Sequence, residues 1–466
     1  MRGSRSLSFK PRKYPGIGCT VVDAATAAFI TPPATASNAD VSSQSISHDH
    51  SQKYPILSPL LPHVAAFLSE SEAQSIFALY LSSHQSTTYP YNTHIPAFVF
   101  RRSSLLSSEG PRKCKPALLA SMLWIATSVV TPSNLELEGW SPSTHLAIRQ
   151  RLGEVTINLL QPLDDPDSQF LQESSVTYDR QQLAQYWTGI LDDIMTYVHI
   201  AIVTGSVVGD AAAIKWWEAA LNLAKESCLY EESEFSDACQ KSPQVFEKGT
   251  LERIDIMRSS NYRTAMVEEC KEEKRRVWWL LYIQDRYLSI DHNRPTLLSD
   301  AECDGLLLPM DDVSWQTGSF PSNGVRFPSL KSTGPGMYGW LVPLMTITST
   351  LLTYVNSQRH HTLFDIGASH EELRRSILGQ LEEYFESVVQ YKPQQHSLLD
   401  CHNKSYVSND MVYIENTVLL LKTFLNTGWG HIPLHAAKDL YKATVARAMA
   451  SANAIAAALP RNSTPL

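Results

Sequence analysis

From about residue 56 onward, apolar residues return at steps of three and four, the period of an amphipathic helix. Ser69-Glu70-Ser71-Glu72 has capping-box spacing and precedes Ile76, Phe77, Tyr80 and Leu81, so a helix is expected to start there. Leu118, Met122, Ile125 and Val129 form the next stripe, with Pro132 as its stop. A long helix is predicted from about Arg180 to Ser206, with Tyr186, Ile190, Ile194, Tyr197 and Ala201 on one face. Asp210 then reads as the N-cap of a helix carrying Ile214, Trp217, Leu221, Ala224 and Cys228.

The same period marks Trp340, Leu344, Ile347, Leu351 and Tyr354. It continues in Leu373, Ile377, Leu381, Tyr384 and Val388 behind a cap at Ser369-His370-Glu371-Glu372. Further stripes are Met411, Ile414, Val418, Leu421 and Leu425, and then Leu440, Thr444, Val445 and Ala448. Alternating strand-type runs are nearly absent, which disfavours parallel α/β folds, and no fixed-period repeat marks a solenoid. The expected fold is all-α, an irregular multi-helix bundle over 56–460, with breaks at 103–113, 161–182 and 229–250 and a long loop at 311–336. Residues 1–55 are first basic and then rich in Ser, Thr, Pro and Ala, a composition that buries too little apolar surface to order itself, so a disordered tail is expected there. Residues 461–466 form a short C-terminal tail.

Composition narrows the function classes. Against 39 Lys and Arg stand 47 Asp and Glu, a net charge of −8, so attraction to nucleic acid requires a local basic element. Arg2, Arg5, Lys10, Arg12 and Lys13 precede the first acid, Asp23, the composition of a transit peptide, a basic nuclear signal or a solvated tail. The seven cysteines, at 19, 114, 228, 239, 270, 303 and 401, lack the two-to-four-residue spacing of a zinc knuckle or redox pair and read as small core hydrophobes in a reducing compartment. The longest weakly polar run, Val198 to Gly209, is short of the roughly 20 residues that cross a bilayer.

Catalytic signatures are missing: there is no G-x-S-x-G, G-x-x-x-x-G-K-[ST], H-E-x-x-H or G-x-G-x-x-G after a strand. Asp164-Asp165-Pro166-Asp167-Ser168 and Asp192-Asp193 both fall short of the D-D-x-x-D spacing that holds magnesium in terpene-cyclase sites. His360-His361 diverge by about 100° on a helix and have no carboxylate at useful spacing. The chain is expected not to be an enzyme and to carry no cofactor of its own.

The most informative stretch is Glu268 to Asp312. Glu268, Glu269, Glu272 and Glu273 precede Lys274, Arg275 and Arg276, an order that suits a helix start and offers Glu272 to Arg276 as an i,i+4 pair. After Val277 the helix is apolar nearly all round, with Leu280, Ile283, Tyr287 and Ile290 on one side and Trp278, Leu281 and Tyr282 on another, as in the middle of a bundle. Asp285 and Arg286 then need partners. Arg294-Pro295 ends the segment and Ser299-Asp300-Ala301-Glu302 opens a short capped helix. Two roles stay open for this stretch: a structural ion-pair network, or an effector pocket lined by Trp278, Trp279, Arg286 and Arg294.

Arg275-Arg276-Val277-Trp278-Trp279, then Tyr282, Asp285-Arg286 and Asn293-Arg294-Pro295, resemble the middle homology region of fungal-specific transcription factors. Pro116 to Trp124, Leu191 to His199, Trp216-Trp217, Ala224-Lys225-Glu226, Glu302-Cys303, Pro309-Met310-Asp311-Asp312, Trp315-Gln316 and Pro343 to Ile347 extend the likeness toward the xylanolytic and arabinolytic activator group, collinearly over about 57 to 458. The resemblance implies an all-α regulatory domain in a nuclear protein (with a cytoplasmic pool allowed) that controls plant-polysaccharide and pentose-use genes. It implies as partners other transcription regulators or a full-length homologous factor, a sugar-derived effector, and no membrane. It also implies an N-terminal two-zinc, six-cysteine DNA-binding cluster; the first 110 residues hold only Cys19, so neither zinc nor DNA readout carries over to these residues. Two forms of the reading follow, a piece of a complete activator or a shortened relative that competes for its partners. A small-molecule sensor, an all-α enzyme and a scaffold are the rivals from other classes.

Overall fold

The computed structural model describes residues 54–82, 96–107, 112–129, 140–160, 180–207, 210–231, 250–292, 294–320, 324–334, 336–359, 367–390, 414–415 and 417–426. Among them the architecture is all-α, and the sole β-type pairing is an isolated antiparallel bridge between Leu307 and Arg326. The N-terminal tail, the Asp164 to Asp167 cluster, His360-His361 and the Leu440 stripe lie outside the described residues.

The principal helices are α1 (Glu70–Ser82), α2 (Pro116–Val129), α3 (Pro142–Leu159), α4 (Arg180–Val207), α5 (Asp210–Glu226), α6 (Thr250–His292), α7 (Asp312–Thr317), α8 (Met337–Arg359) and α9 (Gly367–Gln390). Each predicted stripe among the described residues falls on a helix, and most of its members are buried. Tyr186 is an exception, turning to the surface while Ile194 and Tyr197 on the same stripe are buried. Packing runs as a chain of neighbours: α1 on α2, α2 on α3 and α4, α4 on α5 and α6, α6 on α8, and α8 on α9. With 43 residues and about 1.5 Å rise per residue, α6 is about 65 Å long and forms the spine between the α4 and α8 sides.

Local chemistry sets the helix ends. The Ser69 backbone N–H donates to Glu72 Oε2 at 2.8 Å and the Glu72 N–H donates to Ser69 Oγ at 3.3 Å, a closed capping box. Glu72 also accepts from Trp140 Nε1 at 2.8 Å, tying α1 to the entry of α3. There Ser141 caps the Thr144 N–H at 3.1 Å and Pro142 sits at the first helical position, where no N–H is missed. Gly153 lets α3 approach α2 closely, since a Cβ at that position would meet the Trp124 ring at 2.8 Å.

Four expectations need correction. The acids Glu268 to Glu273 do not start a helix, because α6 begins at Thr250 and places them in its middle, beyond the reach of a terminal macrodipole. Ser369 does not cap α9, which starts two residues earlier. Cys228 is not on α5: the helix stops at Glu226 and Cys228 turns the chain with φ of 51°. The 311–336 stretch is not one long loop. Asp311 accepts from the Ser314 N–H at 2.9 Å and starts α7, Gly318 ends it at φ of 74°, and Trp315 and Phe327 are buried.

Inside α8, Pro343 has no N–H to offer the Gly339 carbonyl one turn back. That carbonyl instead accepts from the Thr333 N–H at 3.1 Å, and the Tyr384 hydroxyl donates to the neighbouring Trp340 carbonyl at 2.9 Å. The 331–334 strand of chain therefore lies so close to α8 that a Cβ on Gly339 would sit 2.3 Å from the Gly334 carbonyl oxygen.

On the other side of the bundle, His199 of α4 is fully buried, with Nδ1 2.8 Å from Ser121 Oγ of α2 and Nε2 3.3 Å from the Tyr80 hydroxyl of α1. Burial pushes its pKa down to about 3, so the folded protein keeps it neutral while the unfolded chain protonates near 6.5.

Two outcomes follow. Gly339→Ala should destabilise by about 1–3 kcal/mol in urea unfolding, because the obstacle is backbone that cannot rotate away; an unchanged midpoint would contradict the close approach. Because the His199 pKa is depressed on folding, its share of stability is present above pH 6.5 and is lost as pH falls toward 3. By pH 5 about 2 kcal/mol of that share is lost, so the wild type should lose about that much more stability than His199→Gln between pH 7.5 and 5.

Candidate functional site

The mid-section of α6 concentrates charge where water does not reach. Glu272, Glu273, Lys274, Arg276, Asp285 and Arg286 are each at most 4% exposed. An isolated ion in such a place costs several kcal/mol, so each must meet a partner. Three clusters supply them.

The first centres on Arg276. Its Nε donates to Glu272 Oε1 at 3.0 Å, Nη1 to the Phe98 carbonyl at 2.9 Å and to Asp312 Oδ1 at 2.8 Å, and Nη2 to the Met310 carbonyl at 2.8 Å. Glu272 in turn accepts from the Met310 N–H at 2.9 Å and from Arg275. The guanidinium lies 5.0 Å from the Trp315 ring and 5.2 Å from the Tyr338 ring, and the Tyr338 hydroxyl donates to the Arg276 carbonyl at 2.6 Å. Burial pushes Tyr338 well above the ordinary tyrosine range, so it stays a donor. One guanidinium thus fixes the 97–99 turn, the 310–312 segment, α7 and α8 onto α6.

The second centres on Asp285. Its carboxylate accepts from the Leu297 and Leu298 N–H groups at 3.0 Å each, and from Arg286 Nη1 and Arg294 Nη2 at 3.3 Å each. Arg286 also donates through Nη2 to Asp300 Oδ1 at 2.6 Å, which takes the Tyr282 hydroxyl at 2.8 Å as well, and its guanidinium stacks 3.5 Å from the Tyr282 ring. Asp285 therefore caps the chain reversal that Pro295 begins. The Ser299–Glu302 capping box is formed, and Lys225 of α5 joins it through Glu302 at 2.7 Å.

The third joins α6 to α4. Arg112 Nε donates to both oxygens of Glu273 at 2.9 and 3.0 Å, while Nη1 reaches Asp192 Oδ1 at 2.8 Å. Asp192 also accepts from the Lys115 N–H at 2.6 Å, and Asp193 pairs with Lys115 Nζ at 2.7 Å. Burial raises Glu273 to about 7 and lifts Asp192, both opposed by the Arg112 charge. Lys274 Nζ sits 3.4 Å over the Trp187 ring of α4.

Of the predicted site residues, Arg275, Arg276, Trp278, Trp279, Tyr282, Asp285, Arg286, Arg294 and Pro295 fall in or beside these clusters, and Asn293 lies outside the described residues. Trp279 donates to the Leu307 carbonyl at 2.8 Å and packs on Phe327 and Tyr282; Trp278 packs on Tyr230. Both rings are buried among protein groups, and the Trp278 Nε1 is buried without a hydrogen-bond partner. A cleft of about 760 Å³ lies elsewhere, between α4, α6 and the 101–107 and 112–116 segments, and none of Trp278, Trp279, Arg286 or Arg294 lines it. Arg112 was missed in the sequence because its partners lie 80 and 161 residues away; only the unexplained acids Asp192 and Glu273 hinted at it.

Among the described residues no group of three or more His, Cys, Asp or Glu is placed to hold a metal ion, and burial pushes Cys114, Cys270 and Cys303 up to about 12, far from the thiolate a zinc ion takes. No described helix is long and apolar enough to cross a membrane.

Asp285→Ala leaves the Arg294 guanidinium and the Leu297 and Leu298 N–H groups without their carboxylate and Arg286 with Asp300 alone, and should lower unfolding free energy by about 3–5 kcal/mol. Lys331→Ala breaks an ion pair with Glu383 whose side chains are each 68% exposed, and should change it by under about 0.5 kcal/mol. Urea unfolding followed by tryptophan fluorescence checks both, and equal losses would refute the burial argument.

Comparison with known proteins identifies the surroundings of these clusters. Residues 253–386 match the fungal specific transcription factor domain, a span covering nearly all of α6 together with α7, α8 and most of α9. The chain is 34% identical over 369 residues to the xylanolytic transcriptional activator xlnR of Emericella nidulans, 73% of this chain and 40% of that protein. Similar figures hold for the xylanolytic transcriptional activators xlnR of Aspergillus niger (33%, 74% and 40%) and Aspergillus terreus (32%, 74% and 39%). The chain thus spans about 40% of the length of these curated relatives. No solved structure matches it. The chain carries a fungal specific transcription factor domain and resembles the xylanolytic activators over about three-quarters of its length.

Proposed function

We propose that this chain is a regulatory part of a transcription regulator that controls genes for degrading xylan and arabinan and for using the pentoses released. The observation that carries the reading is the coincidence of the 253–386 match with the helices that the Arg276 and Asp285 clusters hold together. Those clusters fasten irregular segments to a long helix, a construction suited to presenting a fixed surface to other proteins. The similarity to activators of xylan use supplies the class of target genes. Its working place on this reading is the nucleus, and its partners are other transcription regulators or a full-length homologous factor. DNA is reached through a zinc-cluster module of the kind the resemblance implies, which the described residues do not supply.

Deleting the gene should lower transcripts for xylan- and arabinan-degrading and pentose-use enzymes in cells moved onto xylan or arabinan, as read by RNA sequencing. Transcripts unchanged from the parent strain would overturn the reading.

A further inference from the structure

The Arg112 joint differs from the other two clusters in its balance of charge. Around Asp285, two carboxylates (with Asp300) meet the two guanidinium groups of Arg286 and Arg294. Around Arg276, Glu272 and Asp312 meet Arg275 and Arg276. Between α4 and α6, however, Glu273 and Asp192 share the single guanidinium of Arg112, and the three side chains are 3%, 1% and 6% exposed.

The other charges on the elements packed there are engaged elsewhere. Arg101 pairs with Glu269 at 3.2 Å and Lys115 with Asp193 at 2.7 Å. Lys274 lies over the Trp187 ring and donates to the Glu231 carbonyl at 3.2 Å, and Lys113 is exposed. Burial pushes the Cys114 and Cys270 thiols up to about 12 and Tyr80 of α1 well above the tyrosine range, so all three stay neutral. Residues 108–111 lie outside the described residues; they include one acid, Glu109, and no base, so they hold no cation for the second carboxylate.

The hydrogen bonds are unequal as well. A buried carboxylate stays ionised where several donors reach it. Asp192 has the Lys115 N–H at 2.6 Å and Arg112 Nη1 at 2.8 Å. Glu273 has one donor, because the single Arg112 Nε–H is shared between its two oxygens at 2.9 and 3.0 Å. Glu269, one turn back on α6, adds like charge. Two interacting acids release their protons as a pair, and this asymmetry places the retained proton on Glu273.

We propose that the joint is a proton-dependent latch: a proton on Glu273 closes it, and loss of that proton leaves an unanswered negative charge between α4 and α6 and loosens their contact. Burial, the largest cause, raises Glu273 to about 7, which puts the change near neutral pH. The inference stands apart from the regulatory reading. It is read on the purified protein, gene control is read in cells, and either fails without the other.

The test is urea unfolding of the whole chain across pH 5.5 to 8.5, wild type against Glu273→Gln, which keeps the shape and an amide oxygen for Arg112. Folding raises the Glu273 pKa from 4.5 to about 7, so the stability that the neutral acid confers is complete below 4.5 and is lost as pH rises through 7. Between pH 5.5 and 8.5 the unfolding equilibrium constant of the wild type should rise about 30-fold more than that of Glu273→Gln. Histidines are common to both proteins and cancel in the comparison. Asp192→Asn removes the other carboxylate and should shrink the rise as well, which keeps the comparison open if Glu273→Gln does not fold. Wild-type and variant profiles that run parallel would overturn the latch. Hydrogen exchange on the wild type needs no variant. Once intrinsic base catalysis is divided out, peptides covering 112–116 and 184–199 should lose protection from pH 6 to pH 8 while 344–352 of α8 keeps it. Protection unchanged in all three, or lost equally in all three, would overturn a joint-specific response.

Discussion

A charge removed from water must be answered by an opposite charge or by several hydrogen bonds, and α6 removes six of them within fifteen residues. The apolar contacts of the bundle supply the bulk of its stability, but they are largely indifferent to which irregular segment covers which stripe. A buried carboxylate is not indifferent. Asp285 accepts only from N–H groups and guanidinium groups that reach it, and Arg276 donates only where carbonyls and carboxylates stand in its plane. The turn at 97–99, the reversal at 297–298, the 310–312 segment and α7 are therefore located by polar geometry, and the helices by apolar packing.

This division has a functional side. Arg276 and Asp285 join α6 to segments that follow it in the chain and, through Phe98, to one that precedes it; Arg112 joins α6 to α4. The spine thus touches both sides of the bundle through charged contacts.

Helices were legible because burial of one face writes itself into the sequence at a period of 3.6: the stripes at Leu118, Ile194, Leu344 and Leu381 all point into the core. The Glu272–Arg276 pair and the Ser299–Glu302 box were legible because they are local. The start of α6 was not, because Leu251, Ile254 and Met257 recur at steps of three for only two turns among charged and polar residues, and the acids at 268–273 were misread as a helix start when their partners include Arg101, Arg112 and the 310–312 segment. The helix within 311–336 was hidden by surrounding Gly, Ser and Pro, although Asp311 and Gly318 mark its ends. The need for partners at Asp285 and Arg286 could be read from the sequence; that the partners are main-chain N–H groups of Leu297 and Leu298 could not, because backbone atoms leave no residue-specific trace.

The central claim is that buried side-chain carboxylates, not neighbouring backbone, hold the irregular segments onto the spine. Native-state hydrogen exchange measures it residue by residue. The amides of Leu297, Leu298 and Met310 lie outside regular helices yet donate to Asp285 and Glu272, so they should exchange as slowly as the core amides of α6 around Trp279. Exchange of those three amides at the fast rate of the exposed 329–331 chain would contradict it.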